Sequence, residues 1–292
     1  MKSPNQRDVL VVIPLFNGEL WIEACLKSVL ENSVDVDILV IDNASTDSGV
    51  DLVKTRFNQV RIVQNQHNVG FGKARNYRFE IAQQDGYQFV LVLNQDATLK
   101  SDTLYMMLEF AKTLNEMAWS LISPIHLDAR GENREFYFDN NLREHSNSSD
   151  IKNSGQFQFQ EVDFINAACW LVNVSALQVM GGFNPRFFMY GEDLDFCNRS
   201  KWKGLKIYLL LNAHCLHHKE KGDYEGNPAK MMDLKVGEQM AWYLNPNVDM
   251  ASKVWRFIKI TLVAIRLMVF GNATLGLEKW RVNVKAFRRS LL

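Results

Sequence analysis

The apolar positions from Val9 to Pro14 (VLVVIP) are nearly continuous and mostly β-branched. That pattern suits a strand buried on both faces of a parallel sheet. Asn17-Gly18 ends the run, and Leu20, Cys25, Leu26, Val29 and Leu30 then recur at helical spacing. Asp37 to Asp42 (DILVID) predicts a second buried strand. The polar cluster Asn43 to Ser48 then opens a helix through Phe57. A third strand, Val60 to Gln64, leads through the glycine-bearing loop Asn68 to Gly72 into a helix over Lys73 to Gln84. Phe89 to Asn94 (FVLVLN) is the fourth strand. Four strand-helix alternations in under a hundred residues predict an α/β open sheet with helices on its faces, a fold class that binds ligands at the carboxyl ends of its strands.

The rhythm then loosens. Thr103 to Leu114 reads as a helix and Ser120 to Ile125 as a strand, whereas Asp128 to Gln160 is too polar for core and is expected to form loops and a hairpin. Strand character returns over Glu161 to Val174. A short helix from Ser175 to Met180 stops at Gly181-Gly182, and a further helix from Glu192 ends at Gly204. Lys206 to Leu211 is a strand with His214, His217 and His218 beyond it, and Met231 to Trp242 is another helix.

Composition adds exclusions. Thirty-three basic and 33 acidic residues cancel, so no bulk charge marks a nucleic-acid binder. The four cysteines are dispersed among apolar residues without a C-x-x-C pair, as expected of reduced, buried thiols. The polar stretch Met1 to Asp8 is unlike a secretory leader, so action on the cytoplasmic side is expected. The neutral total nevertheless conceals two regions. Residues 251–292 carry nine bases against Glu278 alone, a local +8, which leaves −8 on the rest. Within that tail, Ser252 to Phe270 interleaves bulky apolar residues with Lys253, Arg256, Lys259 and Arg266. Its uncharged stretches are far shorter than the ~20 residues needed to span a bilayer. It reads as an interfacial helix, at about 1 kcal/mol per basic residue on an anionic surface, or as a helix packed on this domain or a second subunit.

Polar residues collect at the strand ends: Asn17 and Glu19, Asp42 and Asn43, and Asn94-Gln95-Asp96. The glycine loop lacks the G-x-G-x-x-G spacing and follows the third strand, which disfavours a dinucleotide fold. Glu192, Asp193 and Asp195 either complement a helix start or supply a general base beside Phe187, Phe188 and Tyr190. The histidines are either solvated or, with Asp96, a metal site.

The ordered series VVIPLFN (11–17), VIDNASTD (40–47), NVGFG (68–72), LNQDA (93–97), GGF (181–183), FFMYGEDLDFCNR (187–199) and His217-His218 resembles the motifs of family 2 glycosyltransferases. Within that family the series looks like the rhamnosyltransferase-like branch that builds bacterial surface polysaccharides such as O antigen. The resemblance covers about residues 8 to 220. It implies a GT-A fold, a mostly parallel open sheet flanked by helices. Residues 1–235 would form the catalytic domain, with a nucleotide-sugar half to about 100 and an acceptor half beyond. Residues 236–292 would form a helical basic extension.

The resemblance also implies roles. Pro14, Phe16, Asn17, Asp42, Asn68, Gly70, Asn94 and Gln95 would bind the donor, with Asp42 at the base or ribose. Asp96 and His217, with His218 as the alternative histidine, would hold Mg²⁺ or Mn²⁺, although Asn94 replaces the first acid of the D-x-D-type motif. Asp193, supported by Glu192, would be the base of an inverting displacement, and Tyr190 and Asp195 would bind the acceptor. Arg75 and Arg199 are candidates for the donor diphosphate. Expected partners are a nucleotide-sugar, a lipid-linked saccharide and the inner membrane surface, with no nucleic acid; homo-oligomerisation is left open. Asn94 also keeps a non-enzymatic glycan-binding or scaffold role in view.

Overall fold

The computed structural model describes residues 8–68, 79–145, 150–219 and 227–291. The expected Gly70, Arg75 and the start of the helix over 73–84 lie outside them; residues 79–84 are helical. The strands are β1 (Val9–Leu15), β2 (Asp37–Asp42), β3 (Arg61–Gln64), β4 (Phe89–Leu93), β5 (Ala97–Leu99), β6 (Trp119–Leu127), β7 (Lys152–Ser154), β8 (Phe157–Glu161), β9 (Cys169–Asn173) and β10 (Lys206–His217). They form one sheet in the order β3-β2-β1-β4-β9-β6-β10-β8-β7, with β5 also paired to β10.

Pairing is parallel from β3 to β4 and again between β6 and β10, and antiparallel elsewhere. The β1 pattern works as expected. Val9, Val11, Ile13 and Leu15 pack into one apolar layer, while Leu10 and Val12 pack into the other with Leu39 and Ile41 of β2. Burying both faces fixes the register, because a slip of one residue would exchange the layers.

Helices α1 (Ile22–Leu30), α2 (Gly49–Arg56) and α3 (Thr103–Thr113) match their patterns. Three readings of the second half are corrected. The polar stretch holds, besides the β7–β8 hairpin, a helix α4 (Phe136–His145) that buries Phe138 and is capped by Glu135. The strand character expected over Glu161 to Val174 is confined to Glu161, the last residue of β8, and to β9, with residues 162–168 between them outside any strand. Strand β10 runs six residues past Leu211, because a register shift between Leu210 and His214 lets it continue against β6 and β5. His214 and His217 therefore belong to the strand.

Helices α5 (Val174–Met180) and α6 (Glu192–Trp202) precede β10, and α7 (Pro228–Leu244), α8 (Met250–Phe270) and α9 (Ala273–Leu291) follow it. The expected boundary at 235/236 falls inside α7. Val236, Met240, Ala241 and Tyr243 share an apolar cluster with Phe187 and Ala286, so α7 is packed on the loop before α6 as well as on α9. No helix among the described residues is long and apolar enough to cross a membrane. All four cysteines are buried and unpaired.

Candidate active site

Register places the polar strand ends side by side. Leu15 pairs with Asp42, and the turn after β4 lies beside β1. Phe16 N–H donates to Gln95 Oε1 at 2.8 Å, and Gln95 Nε2 returns a bond to the Phe16 carbonyl at 3.1 Å. Asn17 adopts φ 47°, its N–H donates to Ser45 Oγ at 3.0 Å, and its Oδ1 accepts from Thr46 N–H at 2.9 Å. Asp42 is 2% exposed. Its Oδ1 accepts from Ser45 N–H and its Oδ2 from Gln64 Nε2, at 2.9 and 3.2 Å. Asp42 thus holds the 43–46 turn, with one lone pair left on each oxygen. Pro14 is buried within β1, and Asn68 is half-buried just past β3.

Beside this edge opens a cleft of about 530 Å³. Asn94, Asp96 and His217 line it from the sheet, and Tyr190, Glu192 and Asp193 from the start of α6. The structure thus brings together the expected metal and base positions and one of the two acceptor positions, Tyr190. Pro14, Phe16, Asn17, Asp42, Asn68 and Gln95 lie outside this cleft. The turn that aims Asp193 is unusual, since Tyr190 and Gly191 both take left-handed φ, 67° and 83°. A Cβ on Gly191 would stand 2.5 Å from the carbonyl carbon of Gly237, so α7 backs directly against the loop. Asp193 Oδ1 accepts from Leu194 N–H at 2.8 Å, which sets its carboxylate over the first turn of α6.

His217 Nε2 lies 3.7 Å from Asp96 Oδ1, and His218 N–H donates to the Asp96 carbonyl at 2.9 Å. Burial would raise the Asp96 carboxyl, but hydrogen bonding and charge attraction from His217 outweigh it and hold the group below its ordinary value. Behind His217, the buried Glu135 places Oε2 4.0 Å from Nδ1. Among the described residues no three His, Cys, Asp or Glu side chains converge as a metal-ligand group. The donor set still fits a hard divalent ion: a carboxylate and an imidazole face one cleft, the buried Nδ1 has no other hydrogen-bond partner, and a carboxylate stands behind it.

Two expected site residues lie outside the cleft. Asp195 is 2% exposed and points away from the cleft into a bond with Arg199 Nε at 2.8 Å. Burial raises its carboxyl despite that partner. Arg199 also donates through Nη1 to the Met180 carbonyl and through Nη2 to the Gly182 carbonyl, both at 2.7 Å. The pair locks α6 to the end of α5, and neither residue lines the cleft. Sequence reasoning in turn missed Lys219, Lys230 and Glu238, which line the cleft. Lys219 directly follows the paired histidines, but Lys230 and Glu238 sit on α7, beyond every motif. Burial first, then the Asp193 charge, pushes the Glu238 carboxyl up to about 7.

The model of Glycosyl transferase family 2 matches residues 10–181, more than half of the chain. The chain is a family 2 glycosyltransferase. This glycosyltransferase is 26% identical over 239 residues to an N-acetylglucosaminyl-diphospho-decaprenol L-rhamnosyltransferase of Mycobacterium tuberculosis (strain CDC 1551 / Oshkosh), covering 73% of this chain and 76% of that one. It is 29% identical over 111 residues to a poly(ribitol-phosphate) beta-glucosyltransferase of Bacillus spizizenii, covering 36% of this chain and 17% of that protein's length. Its fold is GT-A. The crystal structure of S. aureus TarS 1-349 in complex with UDP-GlcNAc superposes with TM-score 0.59 at 16% identity, over 97% of this chain and 88% of that one. GalNAc-T7 with UDP, GalNAc and Mn²⁺ superposes with TM-score 0.62 at 12% identity, over 96% and 55%.

Proposed function

We propose that this glycosyltransferase moves a sugar, with inversion, from a nucleotide-diphospho-sugar to a hydroxyl of a bacterial surface polysaccharide growing on a lipid carrier. The observation that carries the proposal is the single cleft holding Asp193 opposite Asp96 and His217. Asp193 takes the proton of the acceptor hydroxyl, whose oxygen attacks the anomeric carbon. The bond to the diphosphate oxygen breaks, and the nucleoside diphosphate departs with the electron pair. One displacement inverts the anomeric centre. Glu192, buried beside Asp193, and Tyr190 shape the acceptor side. Mg²⁺ or Mn²⁺ held by Asp96 and His217 would offset charge on the leaving diphosphate. Lys219 and Lys230 supply further positive charge in the cleft, and the strand-end turn with Asn17, Asp42, Asn94 and Gln95 receives the nucleotide.

The rhamnosyl group and the diphosphate-lipid acceptor named for the mycobacterial relative support rhamnose, from dTDP-rhamnose, as the first donor to test. A donor panel scored by release of free nucleoside diphosphate checks the reading; silence with every donor and acceptor would favour a glycan-binding role.

The same reading places the protein on the inner membrane surface. On α8, Trp255, Ile258, Leu262, Ile265 and Val269 follow a 3-4-3-4 spacing and are all exposed, Trp255 at 65%. Two copies meeting through this face would bring together two +8 regions, whereas an anionic leaflet complements one. Flotation of the full chain with anionic vesicles tests this. Binding should weaken in Trp255→Ser and Leu262→Ser, and equal binding of both variants would refute it.

A further inference from the structure

A second cavity, about 600 Å³, lies between α6, α7, α8 and α9. It shares His145, Phe164, Leu194 and Glu238 with the catalytic cleft, so the two spaces adjoin at these side chains.

Its chemistry centres on Arg256. The guanidinium lies over the Trp242 ring, with Cζ 4.3 Å from the centroid, and Nη2 donates to Gln239 Oε1 at 3.3 Å. Nε is buried without an acceptor. The contrast with Arg199 is direct, since all three nitrogens of that group already have protein acceptors. A planar cation held over an aromatic face with a donor unused is prepared for an oxygen ligand and loses little freedom on binding one. Nearby acids do not answer that need. Asp163 is taken by Lys201 at 2.8 Å and Glu278 by Lys235 at 2.5 Å. Glu238 is discouraged from ionising by burial and by Asp193. Lys279 adds a second cation to the lining.

We propose that this cavity is an anion subsite in which Arg256 and Lys279 hold the phosphate or diphosphate that joins the acceptor sugar to its carrier. The proposal rests on the reading of the acceptor as lipid-linked. The arrangement has the required order: hydroxyl at Asp193, phosphate beyond Leu194, and lipid toward the apolar face of α8, the helix that carries Arg256.

The test uses the full chain and inorganic pyrophosphate, followed at the Arg256 Nε–H resonance in a ¹⁵N-labelled sample and assigned by its loss in Arg256→Lys. Pyrophosphate should move this resonance saturably. Lys279→Ala, a change at an exposed position, should weaken the effect about ten-fold or more, the range for a charge-assisted bond. Binding of dTDP and UDP should be unchanged in both variants. A resonance that does not move, or one that moves equally in Lys279→Ala, overturns the proposal. Movement with phosphatidylglycerol vesicles but not with pyrophosphate also overturns it, because the anion would then be a lipid headgroup. The readout needs no turnover, so its outcome is separate from that of the transferase reading. Pyrophosphate binding at Arg256 without sugar transfer would remove only that reading, and transfer without binding would remove only the subsite.

Discussion

Gly237 lies within α7, where alanine ordinarily adds up to about 1 kcal/mol of stability. Helix propensity alone therefore says that Gly237→Ala should stabilise the protein. The structure gives the opposite sign. A Cβ at 237 would lie 2.8 Å from the Tyr190 carbonyl carbon and closer still to its oxygen. Neither atom is the end of a flexible side chain, so α7 and the 190–193 loop must separate. Overpacking of this kind costs about 1–3 kcal/mol, so against a propensity gain of about 1 kcal/mol the net loss should reach up to about 2 kcal/mol. For a protein of this size that lowers Tm by about 2–4 °C per kcal/mol. The larger effect falls on the chemistry, because the displaced loop carries Asp193, and a misplacement of about 1 Å costs on the order of 100-fold in rate. Thermal unfolding, together with sugar-transfer kinetics well below Tm, measures both. Gly155→Ala, at φ 57° with open space around it, is the control and should leave kcat unchanged. A Gly237→Ala protein more stable than the parent, with unaltered kcat, would refute the reasoning.

Arg199→Ala should cost about 3–5 kcal/mol in urea unfolding, because it leaves the buried Asp195 charge without its partner, and donor affinity by calorimetry should hold. Loss of donor affinity at unchanged stability would restore Arg199 to the diphosphate. His126, buried beneath His217, is held neutral to about pH 3 by burial and by the His217 charge. Below its ordinary value of 6.5 the unfolded chain gains a proton that the native state refuses, so stability falls with pH from about 6.5 toward 3. The contribution is about 2 kcal/mol at pH 5, and His126→Asn should flatten that limb of the urea-stability profile relative to the parent. Asp96→Ala should remove the Mn²⁺ dependence of donor binding in calorimetry; an unchanged dependence would move the metal elsewhere.

The first half was legible because β1, β2 and β4 are buried on both faces and announce it as apolar runs. What escaped had its signal diluted by size or chemistry. β5 is three residues long, and α4 buries only Phe138. In α9 the buried positions are Gly276, Asn283 and Ala286, which make no apolar stripe. Asn283 is inside because it donates to the Phe257 carbonyl and Thr261 Oγ1 and accepts from the Tyr243 hydroxyl, bonds that no periodicity shows. Asp96, His217, Tyr190 and Asp193, singled out by strand ends and motif order, line one cleft. Asp195 and Arg199 pair with each other outside the cleft, because a buried ion pair one helical turn apart carries the same residue types in sequence as an acceptor-binding acid and a phosphate-binding base. Glu238 and Arg256 reach their cavities through the packing of α7 and α8.

The central claim, that Asp193 is the base of an inverting sugar transfer, is tested most directly by Asp193→Asn under saturating donor and acceptor. Released nucleoside diphosphate gives turnover, and calorimetry gives donor affinity. Loss of a general base should lower turnover by about 10²- to 10⁴-fold while donor affinity stays at the parent value. Turnover equal to the parent's would contradict it.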